Sequence, residues 1–86
     1  MKDNNPLPYI NLNGNTKDQL IEQTIKCVET SEQLMLEISR NDSFHGRNSI
    51  NTKHHAELTA KKIELLNSVK ELKTYFENNI DYIINI

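Results

Sequence analysis

Two long runs of apolar residues at three-and-four spacing, parted by a polar break, constrain this chain more than any other feature. Leu20, Ile21, Ile25, Val28, Met35 and Ile38 follow one face of a first helix, with Cys27 and Leu34 flanking. Leu58, Leu65, Val69, Leu72, Phe76, Ile80 and Ile83 form the row of a second, which Thr59, Ile63 and Leu66 widen. The pattern predicts an all-α fold, an antiparallel helical hairpin with an N-terminal arm. The arm covers 1–15 and the hairpin 16–86, with helices over about 16–40 and about 52–84 and a loop over about 41–51. At about 1.5 Å per residue the helices are roughly 36 and 48 Å long, so the second outruns the first.

Local chemistry sets the ends. Thr16 followed by Gln19 makes a capping box, in which each side chain satisfies a free amide of the first turn. Asn41-Asp42-Ser43 supplies turn chemistry after Arg40. Around Glu29 to Glu32 the apolar stripe weakens, and Thr30 and Ser31 face inward if the helix is straight, which predicts a small-residue contact or a kink. Residues 1–15 carry both prolines, one of two glycines and five asparagines, a composition that favours an extended arm. Leu7, Tyr9 and Ile10 within that arm predict that it docks on a helix of its own chain or a neighbour's.

A pair of helices leaves half of each apolar stripe wet. At roughly 1.5 to 3 kcal/mol per buried apolar side chain, several exposed ones would cost more than so small a unit can sustain. A symmetric homo-oligomer is the expected remedy. Ten Lys and Arg against twelve Asp and Glu leave no basic field for long nucleic acid. A single cysteine, Cys27, excludes an internal disulfide and reads as a small buried residue. The first residues lack the apolar run of a signal peptide and no stretch has the length of a membrane span, so a cytoplasmic protein without membrane partners is expected.

Chemistry concentrates in the polar break. Between Arg40 and Lys62, five Lys and Arg face only Asp42 and Glu57, and His45, His54 and His55 share the window. The stretch His45-Gly46-Arg47-Asn48 sets an imidazole, a flexible backbone and a guanidinium side by side, near a helix N-terminus whose free amides favour an anion. Phosphate is the natural ligand class, with Lys61 and Lys62 following on the second helix; the bland alternative is a solvated loop with ordinary surface lysines. His54 and His55 diverge by about 100° on a helix and cannot readily chelate one ion, so no metal site is expected. No nucleophile with an oriented base and no glycine-rich phosphate loop is present, which argues against an enzyme and against a bound cofactor. Tyr9 can stack on a base or pin the arm, and Lys26 can reach a pocket or extend to solvent.

The arm, the first amphipathic helix, the His45-Gly46-Arg47 loop and the longer second helix together resemble small phage anti-defence proteins, the anti-CBASS and Thoeris anti-defence hairpin family. The likeness covers roughly residues 16–78. Relatives carry Asp and aromatic residues after His-Gly-Arg, where Asn48, Ser49 and Ile50 stand here. The resemblance implies a homohexamer that sequesters cyclic di- or trinucleotides, or glycosylated cyclic ADP-ribose, without cleaving them, in the cytoplasm of an infected bacterium. It implies a dinucleotide pocket using Tyr9 and Lys26, and a trinucleotide pocket in which Lys61 or Lys62 replaces a basic side chain of the second helix. The alternative from another class is a helical interaction module, or small inhibitor, that docks an exposed apolar face on a partner protein.

Overall fold

The computed structural model describes residues 5–10, 16–44 and 52–86. Helix α1 spans Lys17–Arg40 and helix α2 spans Thr52–Ile84, with a short 3₁₀ turn at Asp42–Phe44; among the described residues there is no strand. The two helices pack against each other as an elongated hairpin, 58 × 24 × 16 Å.

The capping box opens α1. The Gln19 amide donates to the Thr16 hydroxyl at 3.1 Å, and the Thr16 amide donates to Gln19 Oε1 at 2.8 Å. Asp18 in the first turn and Arg40 in the last complement the helix dipole. The helix stops where Asn41 turns extended and gives its amide to the Ile38 carbonyl, while its side-chain oxygen accepts from the Ser43 amide at 2.9 Å.

Lysines tie the ends of the hairpin together. Lys17, at the start of α1, donates to the Ile84 carbonyl at 2.9 Å, and Lys62 of α2 donates to the Ser39 carbonyl at 3.2 Å. Each thus places a cation on the carbonyl-rich C-terminus of the opposite helix, where backbone acceptors lack helical donors. Between them, Lys73 bridges Glu32 of α1 at 3.3 Å and Glu77 of its own helix at 3.8 Å. These contacts set an antiparallel register.

The core is thin. Val69 and Ile83 are the buried apolar residues among those described, with Ser31 and Asn79 as buried polar ones, and no large side chain is wholly enclosed. Around them Leu20, Ile21, Cys27, Val28, Met35 and Ile38 of α1 meet Leu58, Leu65, Leu66, Phe76 and Ile80 of α2, all half-buried. Cys27 is therefore half-buried rather than enclosed as its residue type suggests. Ile25, Ile63 and Leu72, assigned to the apolar stripes from their spacing, are exposed. One helix covers a narrow seam on its neighbour, while an apolar stripe of a globular helix is about 100° wide. Ser31 faces inward as the spacing predicts, whereas Thr30 is exposed. The Ser31 hydroxyl donates to the Cys27 carbonyl and that of Thr24 to the Leu20 carbonyl, both at 2.8 Å, so each is satisfied within its own helix.

Candidate functional site

Midway along one side of the hairpin an open groove of about 360 Å³ lies between the helices. Its α1 wall comes from Lys26, Cys27, Thr30 and Leu34, with Ser31 beneath; its α2 wall is Leu72 and Phe76. The cause is local. Ser31 and Cys27 are too small to fill the space opposite Leu72 and Phe76, so the seam opens where the α1 stripe weakens. The surface of the groove is almost wholly apolar. Lys26 therefore lends it a methylene stem, and its ammonium extends toward solvent at the edge.

The arm reaches the same level. The Tyr75 hydroxyl donates to the Pro6 carbonyl at 2.9 Å, and the Tyr75 ring meets Phe76 edge to face, with centroids 5.4 Å apart. In the register set by Lys17 on Ile84 and Lys73 on Glu32, Tyr75 lies level with residues 26–30 of α1. Pro8 and Ile10 are half-buried while Leu7 and Tyr9 point outward, the alternation of an extended strand-like segment. The docking of the arm read from its composition is thus realised on the chain's own second helix. Tyr9 is 84% exposed and lies three residues from the Pro6 anchor, within about 10 Å of chain. Tyr9 and Lys26 are both accessible in the same stretch of the hairpin.

Lys61 and Lys62 sit elsewhere. Lys62 holds the C-terminus of α1 through Ser39, which is thirteen residues beyond Lys26 and hence about 20 Å along the axis. Lys61 is exposed and pairs with Glu64 one turn on, at 3.3 Å. Within one chain these two lysines do not join the groove. His45, Gly46 and Arg47 lie outside the described residues. Apart from Lys26, the residues that line the groove, Cys27, Thr30, Ser31, Leu34, Leu72 and Phe76, and Tyr75 that anchors the arm, are not assigned to a site by spacing alone. Leu72 and Phe76 carry the same apolar signal as the core row, and only the i,i+3 step from Leu72 to Tyr75 hints at an aromatic edge.

Among the described residues no group of His, Cys, Asp or Glu is arranged to hold a metal ion, and no helix is long and apolar enough to cross a membrane. No family model, curated protein or solved structure matches this chain. Chemically the groove can enclose a flat apolar or aromatic group, with a cation available at its rim. Its volume is at the small end of the roughly 300–1,000 Å³ usual for small-ligand sites, so it suits one part of a larger ligand.

The hydroxyl of Tyr75 provides a direct check on the arm. Tyr75→Phe should release residues 5–10 from α2 while costing only about 1 kcal/mol. Limited proteolysis should then cut the arm several times faster with the circular dichroism of the helices unchanged; unchanged cleavage would mean that other contacts hold it.

Proposed function

We propose that this protein binds cyclic oligonucleotide immune signals and holds them intact, as a phage-encoded sponge against CBASS-type defence in the cytoplasm of an infected bacterium. The observation that carries this reading is the apolar groove with Lys26 at its edge, level with an arm that presents Tyr9. A nucleotide needs both features: its base is stabilised by apolar and aromatic surface, and its phosphate by a charge-assisted hydrogen bond. The groove is open on one side, which suits a ligand shared with a second copy. A closed homo-oligomer, a hexamer by the family resemblance, would supply the missing wall.

Lys62 lies about 20 Å along the axis from Lys26, too far to share its groove in one protomer, so the trinucleotide pocket implied by the resemblance, with Lys61 or Lys62 and the motif residues His45, Gly46 and Arg47 assigned to it from sequence alone, would be a second one. No residue is assigned a catalytic role: the ligand leaves as it arrived.

A second reading, a module that docks on a partner protein, is favoured by the exposed Ile25, Ile63, Ile84 and Ile86 outside the groove. Calorimetric titration with cyclic di- and trinucleotides and cyclic ADP-ribose isomers separates the two. Tight binding, with unaltered ligand recovered after denaturation, is the outcome expected of a sponge; absence of heat with every one of them would move the assignment to the docking module. Arg47→Ala should weaken binding of whichever signal uses the loop by about tenfold to a hundredfold, the worth of a charged hydrogen bond, with helicity retained. Unaltered affinity for every bound ligand would remove the loop from the site.

A further inference from the structure

On the side of α2 away from the groove, Ile63, Lys70, Glu77 and Ile84 follow one another at intervals of seven residues. Residues seven apart drift only about 20° around a straight helix, so the four make one row about 32 Å long. All four are exposed, Ile63 at 54% and Ile84 at 52%, on the side where Lys73 meets Glu32. The row is complementary to its own reverse: apolar, positive, negative, apolar, with its centre between Lys73 and Thr74.

We propose that this row is the contact between two copies of the chain, related by a two-fold axis that lies between the two copies of α2 and runs at right angles to them, at the level of Lys73 and Thr74. Turning one copy end for end sets Ile63 against Ile84 of the second copy and Lys70 against Glu77 of the second copy, and the axis repeats both pairs. A two-fold contact uses the same patch on both chains, and this row is complementary to itself in that sense only. A parallel arrangement would set Lys70 on Lys70 and Glu77 on Glu77, which repel. Charge therefore selects the antiparallel partner, and the two isoleucine pairs remove from water two of the apolar side chains that the hairpin leaves exposed. Lys73 lies beside the axis and so beside its own copy, and its ion pairs with Glu32 and Glu77 offset the repulsion between the two ammonium groups. The groove on the opposite side stays open to ligand.

The surface deepens the assembly part of the proposed function and rests on it only for the existence of a second copy. Sedimentation equilibrium of the full chain over a range of concentrations tests it, with calorimetry on the same preparations reporting ligand binding separately. Lys70→Glu turns two attractive pairs into two repulsive ones, as does Glu77→Lys, and each should weaken self-association about tenfold at low salt. The double variant K70E/E77K swaps the charges across the axis and should restore the wild-type mass distribution. Added salt should weaken the wild type and relieve the single variants. Single reversals that leave the mass distribution unchanged, with helicity intact, would overturn this surface while leaving assembly by another face in place. A wild-type chain that stays monomeric at every concentration would overturn the surface and the assembled sponge together, whatever the titration shows.

Discussion

Val69→Asp should abolish the cooperative fold of the hairpin at room temperature. Val69 is 6% exposed, on the α2 seam, in a core that contains just one other buried apolar side chain among the described residues. An aspartate there has either to bury an ionised carboxylate or to push the helices apart, at a cost of several kcal/mol. Stabilities of 5–15 kcal/mol are typical of native proteins, and a small unit with a thin core sits low in that range. The conservative Val69→Ala removes about two methyl groups and should cost only about 1–2 kcal/mol. Thermal melts followed by circular dichroism at two protein concentrations read both effects. If assembly contributes to stability, the wild-type Tm rises with concentration. A Val69→Asp chain that melts like the wild type would mean that the helices do not meet along this seam.

Lys26→Glu should have the largest effect on ligand binding at no cost to the fold. Lys26 is exposed at the rim of the groove, so its replacement by another helix former leaves the buried seam between α1 and α2 unaltered. On the proposed function, loss of the ammonium removes a charged hydrogen bond to the ligand's phosphate, and the new carboxylate would repel the same group. Affinity for a cyclic dinucleotide should fall by at least about a hundredfold, more than the roughly tenfold to hundredfold expected of Lys26→Ala. Calorimetric titration of the wild type and the two variants gives the comparison, and wild-type affinity in both variants would show that no anion approaches Lys26. Lys26→Arg should keep binding, since it preserves the charge and adds a planar donor set.

Much of the fold is legible in the order of residues. Thr16 and Gln19 announce the start of α1, and their reciprocal hydrogen bonds form as the motif requires. Asn41 and Ser43 announce its stop, and the three-and-four spacing fixes both helices as amphipathic. These are local matters, decided within one or two turns of backbone. The apolar residues of the arm likewise point to docking, which Tyr75 achieves through the Pro6 carbonyl.

The site is less legible. Lys26 and Tyr9 are visible as a cation and an aromatic, yet nothing in their spacing of seventeen residues reveals that the arm is anchored level with Lys26. Lys62 illustrates the converse: in sequence it is one more cation of a basic window, while in the hairpin it holds the Ser39 carbonyl at the end of α1. Leu72 and Phe76 share a row with Val69, and yet they line a groove.

The sequence by itself determined that this protein is helical, where the first helix is capped, and which broad faces are apolar, because hydrogen bonds and side-chain periodicity within a helix depend on near neighbours along the chain. Only the tertiary structure decided how much of each face is covered and where the seam opens. Those depend on the register of two antiparallel helices, set by Lys17 on Ile84, Lys62 on Ser39 and Lys73 on Glu32, and on the small Ser31 arriving opposite Leu72 and Phe76. Such volumes are matched across tens of residues of chain, where periodicity carries no information about which residue meets which.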